Sequence, residues 1–368
     1  MKYTEAGFRA IYHQFVVVET DENLKKLIED FPGAEDANAL LAYGYYDREA
    51  GLSLEVLAPA IVSEKGFQFA PGKPDVSAKI RVDSIGDNEL RVCSDQDGHL
   101  SGGFARKLAS LKIYEASEEI EDTRKMAFLD GLRDESYIDD VRVTIGKEGL
   151  QPEECWVRIT GRGAFFFRGT LLNEPYQEMG IHEGDSLEFL ADQTADGKIT
   201  CYADMDAVVT YTEDELEDGT VLKAAVKDFQ EQSSKSKLLN ILRILHSSYV
   251  WIPCSAVMSD KDNERFEAMM REHEEKGESA KGKEFEAKDP IRMVPSLLKN
   301  GEKIYFPVFS SEAEMGEQAG QFSKLQKTFL ETLPLARDKT KDITAIVLNP
   351  FTEPFLIGTD LFDDIEKM

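Results

Sequence analysis

Four cysteines and five histidines are the residues of this 368-residue chain best suited to metal or nucleophile chemistry. Cys93, Cys155, Cys201 and Cys254 lie far apart, show no C-x-x-C spacing and sit in or beside apolar segments. Cysteine in such places behaves as a small hydrophobe, so all four are read as reduced. Cys155, Cys201 and His182 would give a zinc ion three ligands, but nothing pairs them at short ligand spacing and no fourth residue stands out. The same three would make a nucleophile and its base only in an electropositive setting that lowers the thiol pKa, and their surroundings are acidic. Ser310 and Ser311 have no G-x-S-x-G elbow and no histidine nearby in sequence. Followed by Glu312 and Glu314, they read as the cap of a helix. Ser101-Gly102-Gly103 ahead of a helix is a phosphate-cradle candidate, yet Arg106 and Lys107 do not complete a G-x-x-x-x-G-K-[ST] loop, and a plain turn is the expectation. No catalytic residue, metal or cofactor is assigned.

What remains are turns and strand ends, and these supply the candidate binding residues. Asn173-Glu174-Pro175 and Gly184-Asp185 combine short polar side chains, a rigid ring and a glycine, the residue types that build tight turns. Phe309 and Asn349-Pro350 each close a β-branched, apolar run. If those two strands are parallel and adjacent, their carboxyl ends form the edge where open α/β sheets bind ligands. The candidate set is Asn173, Glu174, Pro175, Asp185, Phe309, Asn349 and Pro350.

The elements that must carry these residues suggest an α+β, multidomain chain. Residues 1–112 open with a strand over 11–19, then a helix with Leu24, Leu27, Ile28 and Phe31 at helical spacing, closed by Pro32-Gly33. Strands follow over 39–46, 52–60, 79–82 and 89–92, with a helix over 104–111, giving a small α+β domain. The run A-S-E-E-I-E-D-T-R from Ala116 reads as a linker. Residues 113–220 then carry a helix over 124–133 and short strand-like runs between glycine turns, a mainly β domain built as a small antiparallel sheet or partly open barrel. A second linker is read at 213–219. Residues 221–368 begin with one helix to about Leu245, continue through Tyr249-Val250-Trp251-Ile252-Pro253 as a strand, and place another helix over 318–333. The polar stretch 272–290 has little to bury and is expected to be a mobile loop or frayed helix end.

Charge is unevenly spread. The chain carries a net charge of −27, and residues 113–220 alone hold 27 Asp and Glu against 9 Lys and Arg. Such a surface repels nucleic acid, whose binding depends on Lys and Arg displacing phosphate counterions, and it disfavours anionic lipid. Neither partner is expected. The acidity either keeps the protein soluble or docks a basic protein. No run of about 18 apolar residues spans a membrane, and the start lacks a signal-peptide pattern. A cytoplasmic location is the expectation; oligomeric state is not legible.

The segment K-I-Y-F-P-V-F-S-S-E-A-E-M from Lys303 and A-I-V-L-N-P-F-T-E-P-F-L-I-G from Ala345 resemble the SseB family, bacterial domains named after enhanced serine sensitivity. The resemblance covers about 221–368, where the order of helix, V-W-I-P strand, polar loop, P-V-F strand, helix and L-N-P strand follows that family. It implies an α/β-type domain and no reaction. Residues 141–205, with W-V-x-I, L-L-N-x-P and a G-D turn, resemble an uncharacterised bacterial domain family. A non-enzymatic binding or regulatory module is therefore the expected function. An acidic neutraliser of a basic partner, of the toxin-immunity type, is one alternative. An enzyme whose site is hidden by sequence spacing is the other.

Overall fold

The computed structural model describes the chain except residues 65, 73, 74, 195, 207–210, 276–284 and 322. Contacts divide it into two compact units, the first formed by 1–162 and 166–205, the second by 163–165 and 206–368. Both combine helices with β-sheet, so the chain is a multidomain α+β protein. Among the described residues no helix is long and apolar enough to cross a membrane.

Unit 1 holds an antiparallel sheet of β1 (Phe15–Glu19), β2 (Ala39–Asp47), β3 (Gly51–Ser63), β4 (Gly66–Phe69), β5 (Lys79–Arg81) and β6 (Leu90–Cys93). Its order is β4-β3-β2-β1-β6, with β5 also on β3. Strand alternation sends Val16, Val18, Leu40 and Ala42 to one face, beneath Leu24, Ile28 and Phe31. Phe15, Val17, Ala39 and Leu41 go to the other, beneath Leu100, Phe104 and Leu108. The first strand starts at Phe15 rather than at Ile11. Residues 11–13 instead cross closely over Gly44, where any Cβ would sit 2.0 Å from the Ile11 carbonyl oxygen, and His13 takes a left-handed φ of 57°.

The rest of unit 1 is a closed five-stranded barrel: β7 (Asp140–Gly146), β8 (Glu153–Arg162), β9 (Phe167–Leu171), β10 (Ser186–Gln193) and β11 (Ile199–Asp204). Neighbours are antiparallel except where β11 meets β7 in parallel and closes the ring. Val143, Ile145, Val157, Ile159 and Phe189 fill it. The run read as a linker from Ala116 is instead a helix, Glu118–Lys125, capped by Ser117 and burying Ile120, Thr123 and Arg124. Its acidic residues are helix-start residues facing the positive end of the dipole, which composition alone cannot separate from a solvated linker. Ser101-Gly102-Gly103 likewise lies inside a short helix, His99–Gly103, not in a turn before one.

Unit 2 begins with a capped helix, Glu213–Glu217, where a linker was expected; Thr212 and Glu215 form its capping box. The single helix read to Leu245 is two, Thr220–Glu231 and Lys235–Ser247, because Ser234 caps a new start. One sheet joins β12 (Tyr249–Val257), β13 (Arg292–Pro295) and, on the other side of β12, a strand at Ser323–Thr328. The other has order β14-β15-β17-β18, from β14 (Leu298–Asn300), β15 (Lys303–Val308), β17 (Ile343–Leu348) and β18 (Phe355–Gly358), the Ser323–Thr328 strand being β16. The helix read over 318–333 is thus in part β16, whose S-K-L-Q-K-T is extended through its antiparallel pairing with β12. The helix proper is Phe329–Ala336. Ile241, Leu242, Leu245, Val250, Ile252, Phe306, Val308, Ile346, Leu348 and Phe362 form the core. Of the polar stretch 272–290, expected as a mobile loop or frayed helix end, the first residues belong to a helix Asp260–Glu275, and residues 276–284 lie outside the described residues.

Candidate functional site

The strand ends of unit 2 are brought together. β15 and β17 are parallel neighbours with Val308 opposite Leu348, and Asn349 N–H donates to the Val308 carbonyl at 2.9 Å. Asn349 then leaves the strand at a left-handed φ of 49°, a conformation Asn tolerates better than most residues. Both ends of its side-chain amide engage Ser310. Ser310 N–H donates to Asn349 Oδ1 at 2.9 Å and Asn349 Nδ2 donates to Ser310 Oγ at 3.0 Å. Phe309 exchanges backbone hydrogen bonds with Trp251 at 2.8 and 2.9 Å, linking the two sheets. Pro350 is half-buried beside them. Glu314, 5% exposed, meets Lys223 Nζ at 2.6 Å and accepts from the Thr352 hydroxyl. Burial works against the Glu314 charge, but Lys223 and Thr352 outweigh it and lower its pKa. The Asn349–Ser310 bonds tie the two strand ends together and make this edge a latch between β15 and β17.

The second candidate group lies on the β9–β10 connection of the barrel and is also assembled. Asn173 Oδ1 accepts from Trp156 N–H at 2.8 Å, and Asp185 accepts from His182 N–H at 2.8 Å. Glu174 accepts from Glu183 N–H at 2.9 Å and meets His182 Nδ1 at 2.7 Å. These bonds lower the Glu174 pKa and raise that of His182. Pro175 is buried. Glu153, which sequence reading passed over, accepts from Tyr176 N–H at 2.7 Å and Gln177 N–H at 2.9 Å. The loop is thereby ordered on both flanks of Tyr176, whose side chain is 100% exposed. No periodicity marks such a residue, because a loop aromatic projects only once its neighbours are tied down.

The thiols are poorly placed for chemistry. All four cysteines are free. Cys155 and Cys201 both pair in register with Val143 inside the barrel, whereas His182 faces solvent, so the three do not meet. Burial pushes the Cys201 thiol up to about 12 and raises those of Cys155, Cys254 and Cys93. Among the described residues no group of three or more His, Cys, Asp or Glu is placed to hold a metal ion. Native alkylation at pH 8 is expected to label Cys93, the one thiol that is not fully buried, ahead of the other three. Early modification of Cys201, read by peptide mass spectrometry, would show that the barrel opens or that its thiol is activated.

Residues 222–359 match the family described as the SseB protein N-terminal domain. The match covers most of unit 2, including both strands of the latch, and none of the β9–β10 loop. No curated protein and no solved structure matches the chain.

Proposed function

We propose that the protein is a non-enzymatic binding module and that the β9–β10 loop of the barrel docks a basic protein. The observation that carries this reading is Tyr176, fully exposed on a loop held rigid by Glu153, Asn173 and Glu174. An aromatic on a preordered backbone spares the cost of ordering the loop on binding, and tyrosine is among the residues that dominate interfaces. Glu174, Glu178, Glu183 and Asp185 on the same loop set the charge of the expected partner. A Lys or Arg of that partner lying over the Tyr176 ring would add a cation–π contact. The narrower form of this reading makes the partner a basic effector that the chain neutralises.

The test is capture of partners from native lysate by wild-type and variant chains at rising salt. Captured proteins are expected to be basic, and association is expected to weaken with salt as the Debye length shortens to about 8 Å. Tyr176→Ala should weaken capture by about thirtyfold, the effect of losing one interface hot spot. The set Glu174→Gln, Glu178→Gln, Glu183→Gln and Asp185→Asn should flatten the salt dependence. Acidic partners, or capture indifferent to both salt and these variants, would leave the acidity as a solubility feature and end the proposal.

A further inference from the structure

A second surface of unit 1 has the features of a small-molecule site. Beside the helix Ala105–Leu111 lies a cleft of about 440 Å³, within the usual range for ligand pockets. Its lining includes His13, Tyr43, Tyr45 and Tyr114, with Lys112 and Glu115. The rings of His13 and Tyr43 are nearly parallel, 18° apart, with centroids 6.4 Å from one another. By contrast His13 rests on Tyr12 at 4.0 Å, a contact stack. His13 and Tyr43 together form an aromatic wall of the cleft.

The aromatic side chains of this wall are held in place. His13 holds its left-handed backbone, unusual for a residue other than glycine, because its N–H donates to the Gly44 carbonyl at 3.0 Å. Tyr114 Oη accepts from Lys79 Nζ at 3.0 Å and its ring lies 4.9 Å from that of Tyr45. Burial lowers the His13 pKa, keeping the imidazole neutral and suited to stacking. Besides His13, the lining carries one cation and one carboxylate, Lys112 and Glu115, three residues apart and both exposed. Glu115 lies close enough to Tyr43 and His13 to act on both: it adds to the rise that burial gives the Tyr43 pKa, and it opposes without reversing the fall of the His13 pKa.

We propose that this cleft binds a small zwitterion bearing a planar ring, of aromatic amino-acid class. The ring packs on the aromatic wall that His13 and Tyr43 form, the carboxylate pairs with Lys112 and the ammonium pairs with Glu115. This site is separate from the Tyr176 loop and does not depend on the docking proposal.

The experiment is calorimetric titration of the full chain with L-tryptophan, tryptamine, indole-3-propionate and adenosine monophosphate. Saturable one-to-one binding of L-tryptophan is expected with a Kd of about 1 mM or tighter. Binding of tryptamine and indole-3-propionate should be weaker. His13→Gly removes the ring while suiting the left-handed backbone, and should weaken L-tryptophan about tenfold, the loss of one stacking partner. Lys112→Met should erase the preference over tryptamine, and Glu115→Gln the preference over indole-3-propionate; both side chains are exposed, so folding is not at stake. Absence of saturable L-tryptophan binding overturns the proposal. So do equal affinities for the three indoles, tighter binding of adenosine monophosphate, or affinities unchanged in all three variants.

Discussion

Asp139→Ala is expected to destabilise unit 1 by about 3–5 kcal/mol, the cost of breaking a buried ion pair by removing one partner. Arg124 and Asp139 are 2% and 0% exposed and meet through two bonds, Nε to Oδ1 at 2.8 Å and Nη2 to Oδ2 at 2.7 Å. Arg124 Nη1 also donates to Tyr12 Oη at 2.6 Å and Glu121 Oε1 at 2.7 Å. Its guanidinium lies over the rings of Tyr12 and Tyr46 at 5.1 and 4.9 Å. One side chain thus ties the N-terminal segment, β2, the Glu118–Lys125 helix and the approach to β7. Burial opposes the charge, yet Asp139 outweighs it and holds the guanidinium pKa above its ordinary value. Removing Asp139 takes away the fully buried, bidentate partner of a cation that cannot shed its proton near neutral pH, leaving it only the part-exposed Glu121 carboxylate. The double variant Arg124→Met, Asp139→Leu removes both charges and should cost less than Asp139→Ala alone. The chain has two tryptophans, Trp156 in β8 and Trp251 in β12, so Trp251→Phe isolates a reporter of unit 1. Urea unfolding followed at Trp156 should give this order of stabilities. A loss below about 1 kcal/mol for Asp139→Ala would mean the pair is solvated in solution.

The same pair shows where sequence reading stops. Arg124 sits in a run of acidic and polar residues, and composition points to a linker there because the run's apolar contributions, Ala116, Ile120 and the aliphatic stem of Arg124, are sparse. Burial of a charged residue depends on a partner fifteen positions away and on rings more than seventy away, information that local pattern does not contain. β2, β3, β12, β15 and β17 are legible because β-branched and aromatic runs mark strands wherever they fall. The parallel pairing of β15 with β17 is suggested by strand ends alone, and the structure places Phe309 and Asn349 at the ends of adjacent strands. β16 escapes sequence reading for the opposite reason: S-K-L-Q-K-T carries one large apolar residue, so its strand character comes from pairing with β12 rather than from propensity. The turns around Asn173 and Asp185 are readable from residue type. Tyr176 is not, since exposure is a property of the assembled loop.

Gly219→Ala is expected to destabilise unit 2 by about 3 kcal/mol or more, for two separable reasons. Gly219 precedes the Thr220–Glu231 helix at φ 75°, where a side chain costs about 1–2 kcal/mol by itself. The greater cost is steric: its Cβ would lie 2.1 Å from the Ser310 carbonyl oxygen and 2.6 Å from the carbonyl carbon. Backbone at that distance cannot rotate away as a flexible side chain would. Ser310 is also held in place, 1% exposed and hydrogen-bonded twice by Asn349. Gly301 provides the control, because its φ is 61° and nothing lies within 4 Å of an added Cβ. Gly301→Ala should therefore show the conformational cost alone, and the difference between the two variants measures the contact with Ser310. Thermal unfolding followed at Trp251 in a Trp156→Phe background reads both. Asn349→Gly adds the decisive comparison, since glycine keeps the left-handed turn while releasing Ser310 from both side-chain bonds. With Ser310 free to shift, Gly219→Ala should cost less in the Asn349→Gly background than in the wild type, a coupling beyond the few tenths of a kcal/mol expected of independent sites. Strict additivity would show that Asn349 does not brace Ser310, and the latch between β15 and β17 would then be a backbone feature to which the Asn349 side chain contributes nothing.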